Sequence, residues 1–172
     1  MTDFRINTGL TLQEGVREII HGRISLMEEG IMNRENDHAT IHETRRTLKR
    51  IRSILRLIRD EIGYSHYFRE NRFYRDISGR MTDLRDSYVL LQNIEMIEHK
   101  HPEILKALEF KALKEQLTGQ LGNHMTLFLQ LTGGFGAILT DLDQARERVD
   151  QFCQLRNDYK AIRKGIRRVY GK

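Results

Sequence analysis

The chain has 172 residues, and its 29 Lys and Arg against 24 Asp and Glu give a net charge of +5. No apolar run approaches the ~18 residues that a membrane span requires, and residues 1–20 lack the features of a secretory signal, so we expect a cytoplasmic protein outside the membrane. The only cysteine, Cys153, excludes an internal disulfide and a cysteine-based zinc site, and we expect it in the core.

The chain begins with two predicted helices. Residues 11–14 (Thr-Leu-Gln-Glu) have the pattern of a capping box, and apolar side chains then keep helical spacing until about residues 30–33. Asp37 is the predicted N-cap of the second helix, and Gly63 is its predicted C-terminal stop. One face of this second helix is predicted to be buried: Ile41, Leu48, Ile51, Leu55, Ile58 and Ile62.

A stripe of basic side chains lies beside that apolar face. At about 100° per residue, its members fall on one narrow side of the helix: His42, Arg45, Lys49, Arg52 and Arg56. Cations at this spacing repel one another by a few tenths of a kcal/mol per pair, and Glu43, the only acid within the segment, cannot neutralise them all. The stripe therefore predicts a bound anion. A solvated basic surface is the alternative, although solvated faces usually alternate in charge sign.

The middle of the chain also has helical periodicity. A third helix is predicted to continue through Gly79 with one apolar stripe formed by Tyr67, Tyr74, Met81 and Tyr88. A fourth helix is predicted to begin at Pro102, and the apolar residues up to Leu131 can extend it. Residues 133–136 (Gly-Gly-Phe-Gly) must then interrupt or bend the helix, and a fifth helix is predicted at residues 138–152.

The last predicted helix, residues 155–169, is the second basic element. One side of it carries Arg156, Lys160, Arg163 and Arg167. No strand alternation appears anywhere in the sequence. The sequence therefore predicts an all-α fold, an antiparallel helical bundle that forms a single domain over residues 1–172.

Three motifs follow one another along these helices. The first is His42-x-x-Arg45-x-x-x-Lys49-Arg50-x-Arg52, continued by Leu55-Arg56-Leu57; the second is Leu-Arg-Asp-Ser-Tyr-Val-Leu at residues 84–90; the third is Tyr159-x-x-x-Arg163-Lys164. In this order they resemble segments of the CHAD domain, the conserved histidine α-helical domain. The similarity spans about residues 11–170 and looks like the first half of the family's fold plus the first helix of its second half.

The resemblance implies a pseudo-symmetric double helical bundle that binds inorganic polyphosphate in a basic groove or pore, without known catalysis. We predict that the second and last helices form two walls of this groove, with contacts from His42, Arg45, Lys49, Arg52, Arg56, Arg156, Lys160, Arg163 and Arg167. Asp76 and Asp86 are expected to hold arginines extended, or to form plain surface ion pairs. Because a second bundle is missing, we expect either a truncated chain or a homodimer that replaces the absent half.

Polyphosphate suits this chemistry, because it repeats a negative charge and offers no base to recognise. Arginine can donate two hydrogen bonds to one phosphate and stays charged, so Arg45, Arg52, Arg56 and Arg163 are expected to be the main contacts. An ordinary imidazole gains a proton as the pH falls from about 8 to 6, so we expect His42 to tighten binding over that range. The alternative for His42 is a hydrogen bond to a neighbouring residue.

Nucleic acid is the strongest alternative ligand, because a cationic stripe can follow any phosphate backbone. In the third helix Arg69, Arg72 and Arg75 interleave with aromatic residues and resemble a stacking platform: Tyr64, Tyr67, Phe68, Phe73 and Tyr74. The heptad spacing of Tyr67 and Tyr74 favours core packing instead. An acidic protein partner is a further alternative.

No motif indicates catalysis. Residues 133–136 follow no strand and lack the Gly-Lys-Ser/Thr ending of a phosphate-binding loop, and no nucleophile with an adjacent base stands out. His38 and His42 have the i, i+4 spacing of helical metal ligands, but the sequence fixes no third ligand. We therefore expect a protein that is not an enzyme and that has no cofactor and no bound metal.

Overall fold

The structure is a computed structural model that describes residues 9–102 and 108–171. These residues form seven helices: α1 (Leu12–Met32), α2 (Asp37–Ile62), α3 (Tyr64–Gly79), α4 (Thr82–Lys100), α5 (Leu108–Leu131), α6 (Gly134–Phe152) and α7 (Lys160–Tyr170). No strand occurs within the described residues, and the predicted all-α fold is confirmed.

The described residues divide into two compact units. One unit contains the chain up to Ser78 and from Ile138 onward, and there α2 packs against both α1 and α7. The other unit, Gly79–Ala137, contains α4 packed against α5. The expectation that residues 1–172 form a single domain stays a prediction.

The core of the first unit uses the predicted apolar face of α2. Ile41, Leu48, Ile51, Leu55 and Ile58 have no exposed surface, and Ile62 has very little. They share this core with Ile20, Ile24 and Ile31 of α1 and Leu142, Ala145 and Val149 of α6. Burial of each such side chain is worth about 1.5–3 kcal/mol, so the apolar face fixes which side of α2 is left for the basic residues.

The ends of α1 and α2 follow the sequence signals closely. Thr11 and Glu14 form the predicted capping box, in which the Glu14 N–H donates to Thr11 Oγ1 at 3.2 Å. The N-cap of α2 is Asn36, one residue before the predicted Asp37, and its Oδ1 accepts from the Ala39 N–H at 3.0 Å. Gly63 ends α2 at a φ of 81°, which glycine adopts without strain, and α3 begins at the next residue.

Two predicted helix boundaries are wrong. The third helix does not continue through Gly79: α3 ends there, and α4 begins after a turn at Arg80 and Met81. Met81, at φ −103° and ψ 6°, leaves helical geometry and buries its side chain completely. The last helix begins at Lys160 rather than residue 155, because the preceding segment caps α1 instead.

Two hydrogen bonds join this segment to the first turn of α1, and the second of them caps the helix. The Leu155 N–H donates to Gln13 Oε1 at 2.9 Å, and Asn157 Oδ1 accepts from the Leu12 N–H at 3.2 Å. Cys153 lies just before this segment in the core, as predicted, and burial raises the pKa of its thiol to about 11.

The predicted glycine interruption is confirmed. Gly133, between α5 and α6, and Gly134, the first residue of α6, have φ values of 73° and 58°. Before it, α5 runs unbroken to Leu131, while residues 103–107, where the fourth helix was predicted to start, lie outside the described part of the chain.

No single helix among the described residues is long and apolar enough to cross a membrane. In the same part of the chain, one bent pair, Phe110–Leu131 with Gly134–Phe152, reaches the required length and composition.

Candidate anion-binding site

Three arginines of α2 bind residues of α3. Arg45 Nη1 donates to the Ser78 carbonyl oxygen, and Arg52 Nε donates to Asn71 Oδ1 at 3.0 Å. Arg59 lies over the ring of Tyr67, with its Cζ 5.6 Å from the ring centroid. The three arginines are seven residues apart along α2, and the residue numbers of their partners fall from 78 to 71 to 67. The helix α3 therefore runs antiparallel to α2 along the basic stripe. We call Arg45, Arg52 and Arg59 the inner row.

A second row lies on the same side of α2 and faces solvent. His42, Lys49 and Arg56, also seven residues apart, are exposed, and we call them the outer row. His42 Nε2 lies 3.8 Å from Oε1 of Glu43, and the carboxylate of Glu43 is itself exposed. Within the described residues, no hydrogen bond or ion pair engages the side-chain nitrogens of Lys49 or Arg56. The five predicted α2 residues are therefore adjacent, and two of them are free to bind an anion.

Arg52 is the electrostatic centre of this surface. Partial burial lowers the pKa of its guanidinium, and the positive charges of Arg56 and Arg75 lower it further. Tyr67 and Asp76 act in the opposite direction with smaller effects. The charged form of Arg52 is thus less favourable here than in water, and an anion near it would relieve the repulsion among the three arginines.

Arg75 brings α3 into the site. Its Nε lies 3.1 Å from Asp76 Oδ1, and the other carboxylate oxygen of Asp76 lies 3.4 Å from Arg72 Nε. Asp76 therefore contacts arginines of α3 rather than of α2, and its expected role in holding site arginines extended stays a prediction. Asp86 lies exposed on α4 in the other unit, and no ion pair engages it within the described residues.

The helix α7 packs against a different side of α2. A Cβ atom on Gly165 would lie 2.9 Å from the Leu57 Cα and would overlap the Leu57 carbonyl oxygen. Leu57 is about 100° around α2 from the centre of the basic stripe. Arg168 donates to the Arg56 carbonyl oxygen and to Asp60, and these bonds hold the C-terminal part of α7 in place.

The predicted groove between α2 and α7 is not formed. Arg163 and Arg167 lie about 160° around α7 from Gly165, on the side that faces away from α2, and both are exposed, as is Lys160. Arg156 precedes α7 and makes two hydrogen bonds to the carboxylate of Glu61, at 2.9 and 2.6 Å. The second wall beside the stripe is therefore α3. The residues of α7 form a separate basic surface, because only glycine allows the backbones to meet at Leu57.

Sequence reasoning missed Arg59, Asn71 and Arg75 as members of the site. The available signal was Gly63, because a helix that restarts one residue after such a stop can fold back beside the first helix. The residue numbers of two facing residues in α2 and α3 then add up to about 123, as they do for Arg45 with Ser78 and Arg52 with Asn71. We call the surface formed by the inner row, the outer row and Arg75 the α2–α3 face.

No group of three His, Cys, Asp or Glu side chains that could hold a metal ion occurs within the part of the chain that the structure describes. Most polar groups of the α2–α3 face are positively charged nitrogen donors, and the carboxylates of Glu43 and Asp76 lie beside His42 and Arg75. Chemically, the face can neutralise and hydrogen-bond phosphate or carboxylate oxygens.

The family model described as CHAD domain matches residues 22–170, which includes α2, α3 and α7. No curated protein and no solved structure matches the chain. Since the family match covers most of its 172 residues, the chain belongs to the CHAD domain family.

Proposed function

We propose that this chain binds inorganic polyphosphate in the cytoplasm through the α2–α3 face and does not catalyse a reaction on it. CHAD domains are associated in general with polyphosphate binding, and they are generally binding domains rather than catalytic ones. The observation that carries the proposal is the position of Arg52, which donates a hydrogen bond to the neutral Asn71 and lies near the positive charges of Arg56 and Arg75.

The chemistry of the face suits a linear polyanion. Successive turns of α2 repeat a positive group about every 5 Å, so one chain of phosphates can contact several turns without a change of direction. The inner row is already oriented by α3, so less side-chain entropy is lost when it binds. The outer row adds exposed charges.

The exposed residues of α7 have a secondary role in this proposal. Lys160, Arg163 and Arg167 face away from α2, so a short polyphosphate on the α2–α3 face would not reach them, whereas a long polymer could pass from one surface to the other. Arg156 is the exception among the predicted contacts, because Glu61 already neutralises it.

The first experiment removes three charges from the face. We expect Lys49→Gln/Arg52→Gln/Arg56→Gln to lower the affinity for long-chain polyphosphate by about 100-fold or more at 50 mM salt, and to reduce the dependence of log affinity on log salt by about 2–3 units. The matched control removes three exposed charges elsewhere, as Arg46→Gln/Lys100→Gln/Lys111→Gln. Equal losses in the two variants would contradict a localised site. Circular dichroism checks that helicity is retained.

A competition experiment separates the alternative ligands. Labelled long-chain polyphosphate is displaced with single-stranded DNA, duplex DNA or polyglutamate at matched salt and matched charge concentration. Displacement by nucleic acid at lower concentration than by unlabelled polyphosphate would favour nonspecific nucleic-acid binding. Displacement by polyglutamate at the lowest concentration would favour an acidic protein partner.

A homodimer is the partner that we propose for the second unit. Residues 116–140 contain no Asp, Glu, Lys or Arg, and α5 exposes Leu113, Leu127 and Leu131, the last by 77%. Such a surface suits a second copy, because an uncharged apolar patch lets two identical chains of net charge +5 meet without placing like charges in the interface. The outer surface of α4 and α5, about 30 Å by 20 Å, approaches the ~800 Å² per partner of a standard interface.

Sedimentation tests this proposal. We expect a concentration-dependent dimer that Leu127→Asp/Leu131→Asp converts to a monomer, while the control Leu26→Asp on α1 leaves the dimer intact. A monomeric wild-type chain at about 100 μM would contradict the dimer and leave polyphosphate binding by each chain unaffected.

A further inference from the structure

One end of the α2–α3 face carries aromatic side chains that are not part of the core. Tyr64 and Phe68, in the first turns of α3, are 69% and 52% exposed. Their rings are stacked, with centroids 6.1 Å apart and an angle of 23° between the planes. Two large rings in water on neighbouring turns leave aromatic surface open to a ligand.

Two other aromatic residues of α3 are packed: Tyr74, which lies on the predicted heptad stripe, and Phe73, which does not. Tyr74 is completely buried, and burial raises the pKa of its hydroxyl. Phe73 packs under the guanidinium of Arg148, with the Arg148 Cζ 4.1 Å from the ring centroid. Core packing therefore accounts for these two rings and does not account for Tyr64 and Phe68.

Tyr67 connects the stacked pair to the basic residues. Its ring centroid lies 6.4 Å from that of Tyr64, and the guanidinium of Arg59 lies over it. Tyr67 is also close enough to Arg52 to affect the pKa of that guanidinium. The aromatic pair and the arginines are therefore one continuous surface, with rings at one end and positive charge beyond.

We infer that this surface binds a nucleoside polyphosphate, with its base on the Tyr64–Phe68 pair and its phosphates along Arg59, Arg56 and Arg52. Every nucleobase has a face that can stack on an aromatic ring, and the adjoining cations neutralise the phosphates. The inference rests on the proposed function, because both assign phosphate binding to the same arginines.

The spacing of the groups favours a nucleotide over single-stranded nucleic acid. Arg52, Arg56 and Arg59 lie within about 10 Å along α2, which suits phosphates bonded directly to one another. A nucleic acid strand places one base beside each phosphate and binds best to successive stacking residues. Among the described residues of the α2–α3 face, exposed aromatic rings occur only at the Tyr64 end.

The test compares ligands with and without a base. ATP and inorganic tripolyphosphate, each with EDTA to remove divalent cations, are titrated into the full chain and followed by calorimetry. The sequence contains no tryptophan, so quenching of tyrosine fluorescence reports stacking directly. We expect ATP to bind about tenfold more tightly than tripolyphosphate and to quench the fluorescence, whereas tripolyphosphate does not.

The variant Tyr64→Ala/Phe68→Ala should bind both ligands with the affinity that the wild type has for tripolyphosphate. The control Tyr159→Ala removes an exposed tyrosine outside the face and should keep the preference for ATP. A wild-type chain that binds ATP no more tightly than tripolyphosphate would overturn the inference, and so would a preference that survives in the double variant.

Two further outcomes separate this inference from the proposed function. If long-chain polyphosphate binds but the base adds nothing, only the inference fails. If neither polyphosphate nor tripolyphosphate binds, the proposed function fails, and the inference fails with it. Tighter binding of single-stranded oligoadenylate than of ATP, lost in the double variant, would overturn the nucleotide assignment in favour of nucleic acid.

Discussion

Arg52 donates its Nε–H to the Oδ1 of Asn71 at 3.0 Å, so the central arginine of the α2–α3 face is oriented by a neutral side chain. An amide acceptor fixes the direction of the guanidinium and leaves its charge uncompensated. A carboxylate at the same place would fix it equally well and would cancel the charge that a polyanion needs. The positive charge of Arg56 and Arg75 nearby makes the uncompensated state costly without a ligand.

Asn71→Asp should therefore weaken polyphosphate binding while the fold persists. We expect a three- to tenfold loss of affinity at 50 mM salt, because the new carboxylate neutralises Arg52 and repels the ligand. Thermal unfolding should be unchanged or shifted slightly upward, since an ion pair replaces a neutral hydrogen bond. Isothermal titration and a melting curve on the same sample measure both effects. Affinity equal to that of the wild type would exclude Arg52 as a central contact.

Gly165→Ala should destabilise the first unit. The added methyl group would overlap the carbonyl oxygen of Leu57, which belongs to the backbone of α2 and cannot move aside cheaply. We expect a loss of about 1–3 kcal/mol in the free energy of unfolding, measured by urea denaturation. The control Gly30→Ala meets nothing within 4 Å and should be neutral or stabilising by up to about 1 kcal/mol. Similar effects of the two substitutions would show that α7 does not depend on the contact with Leu57.

The ion pair between Glu61 and Arg156 gives a pH-dependent contribution to stability. The hydrogen bond from Arg156 holds the pKa of the Glu61 carboxyl below its ordinary value of 4.5. The pair therefore stabilises the fold above that pH, and its contribution disappears as the pH falls through the lowered pKa. Arg156 is 75% exposed, so solvent screens the pair and its contribution should be small.

Glu61→Gln tests this pair. We expect the variant to be less stable than the wild type at pH 7 and equally stable near pH 3, as measured by urea denaturation at both values. Glu43→Gln, which alters an exposed carboxylate near Arg46, is a suitable comparison. A stability difference that persists unchanged into acid would mean that Glu61 acts through packing rather than charge.

The sequence was sufficient to predict what depends on local pattern. The apolar residues of α2 recur with the period of an α-helix, so they lie on one buried side of it. Thr11 and Glu14 form a cap within four residues of sequence. The basic stripe could be predicted for the same reason, because its members are brought together by one helix. These features need no information about distant residues.

What could not be predicted depends on which helices meet. Arg156, Arg163 and Arg167 have the correct chemistry for a second wall, but the contact between Gly165 and Leu57 decides which way α7 faces. The end of α3 at Gly79 was missed for a related reason: the burial of Met81 outweighs the heptad pattern that would continue the helix. The direction that α7 faces and the end of α3 both depend on tertiary packing, which the local sequence pattern does not show.

The last prediction distinguishes α3 from α7 as the second wall of the site. Arg75→Gln should weaken binding of a short polyphosphate of about ten phosphates by roughly three- to tenfold and reduce the salt dependence by about one unit, because Arg75 adds its charge beside Arg52. Arg167→Gln removes the same charge from α7, so it should leave the short ligand unaffected and weaken only polymers long enough to reach α7. Fluorescence anisotropy with labelled ligands of two lengths measures both effects. If Arg167→Gln weakened binding of the short ligand more than Arg75→Gln did, the result would favour the groove between α2 and α7, which the contact at Leu57 argues against.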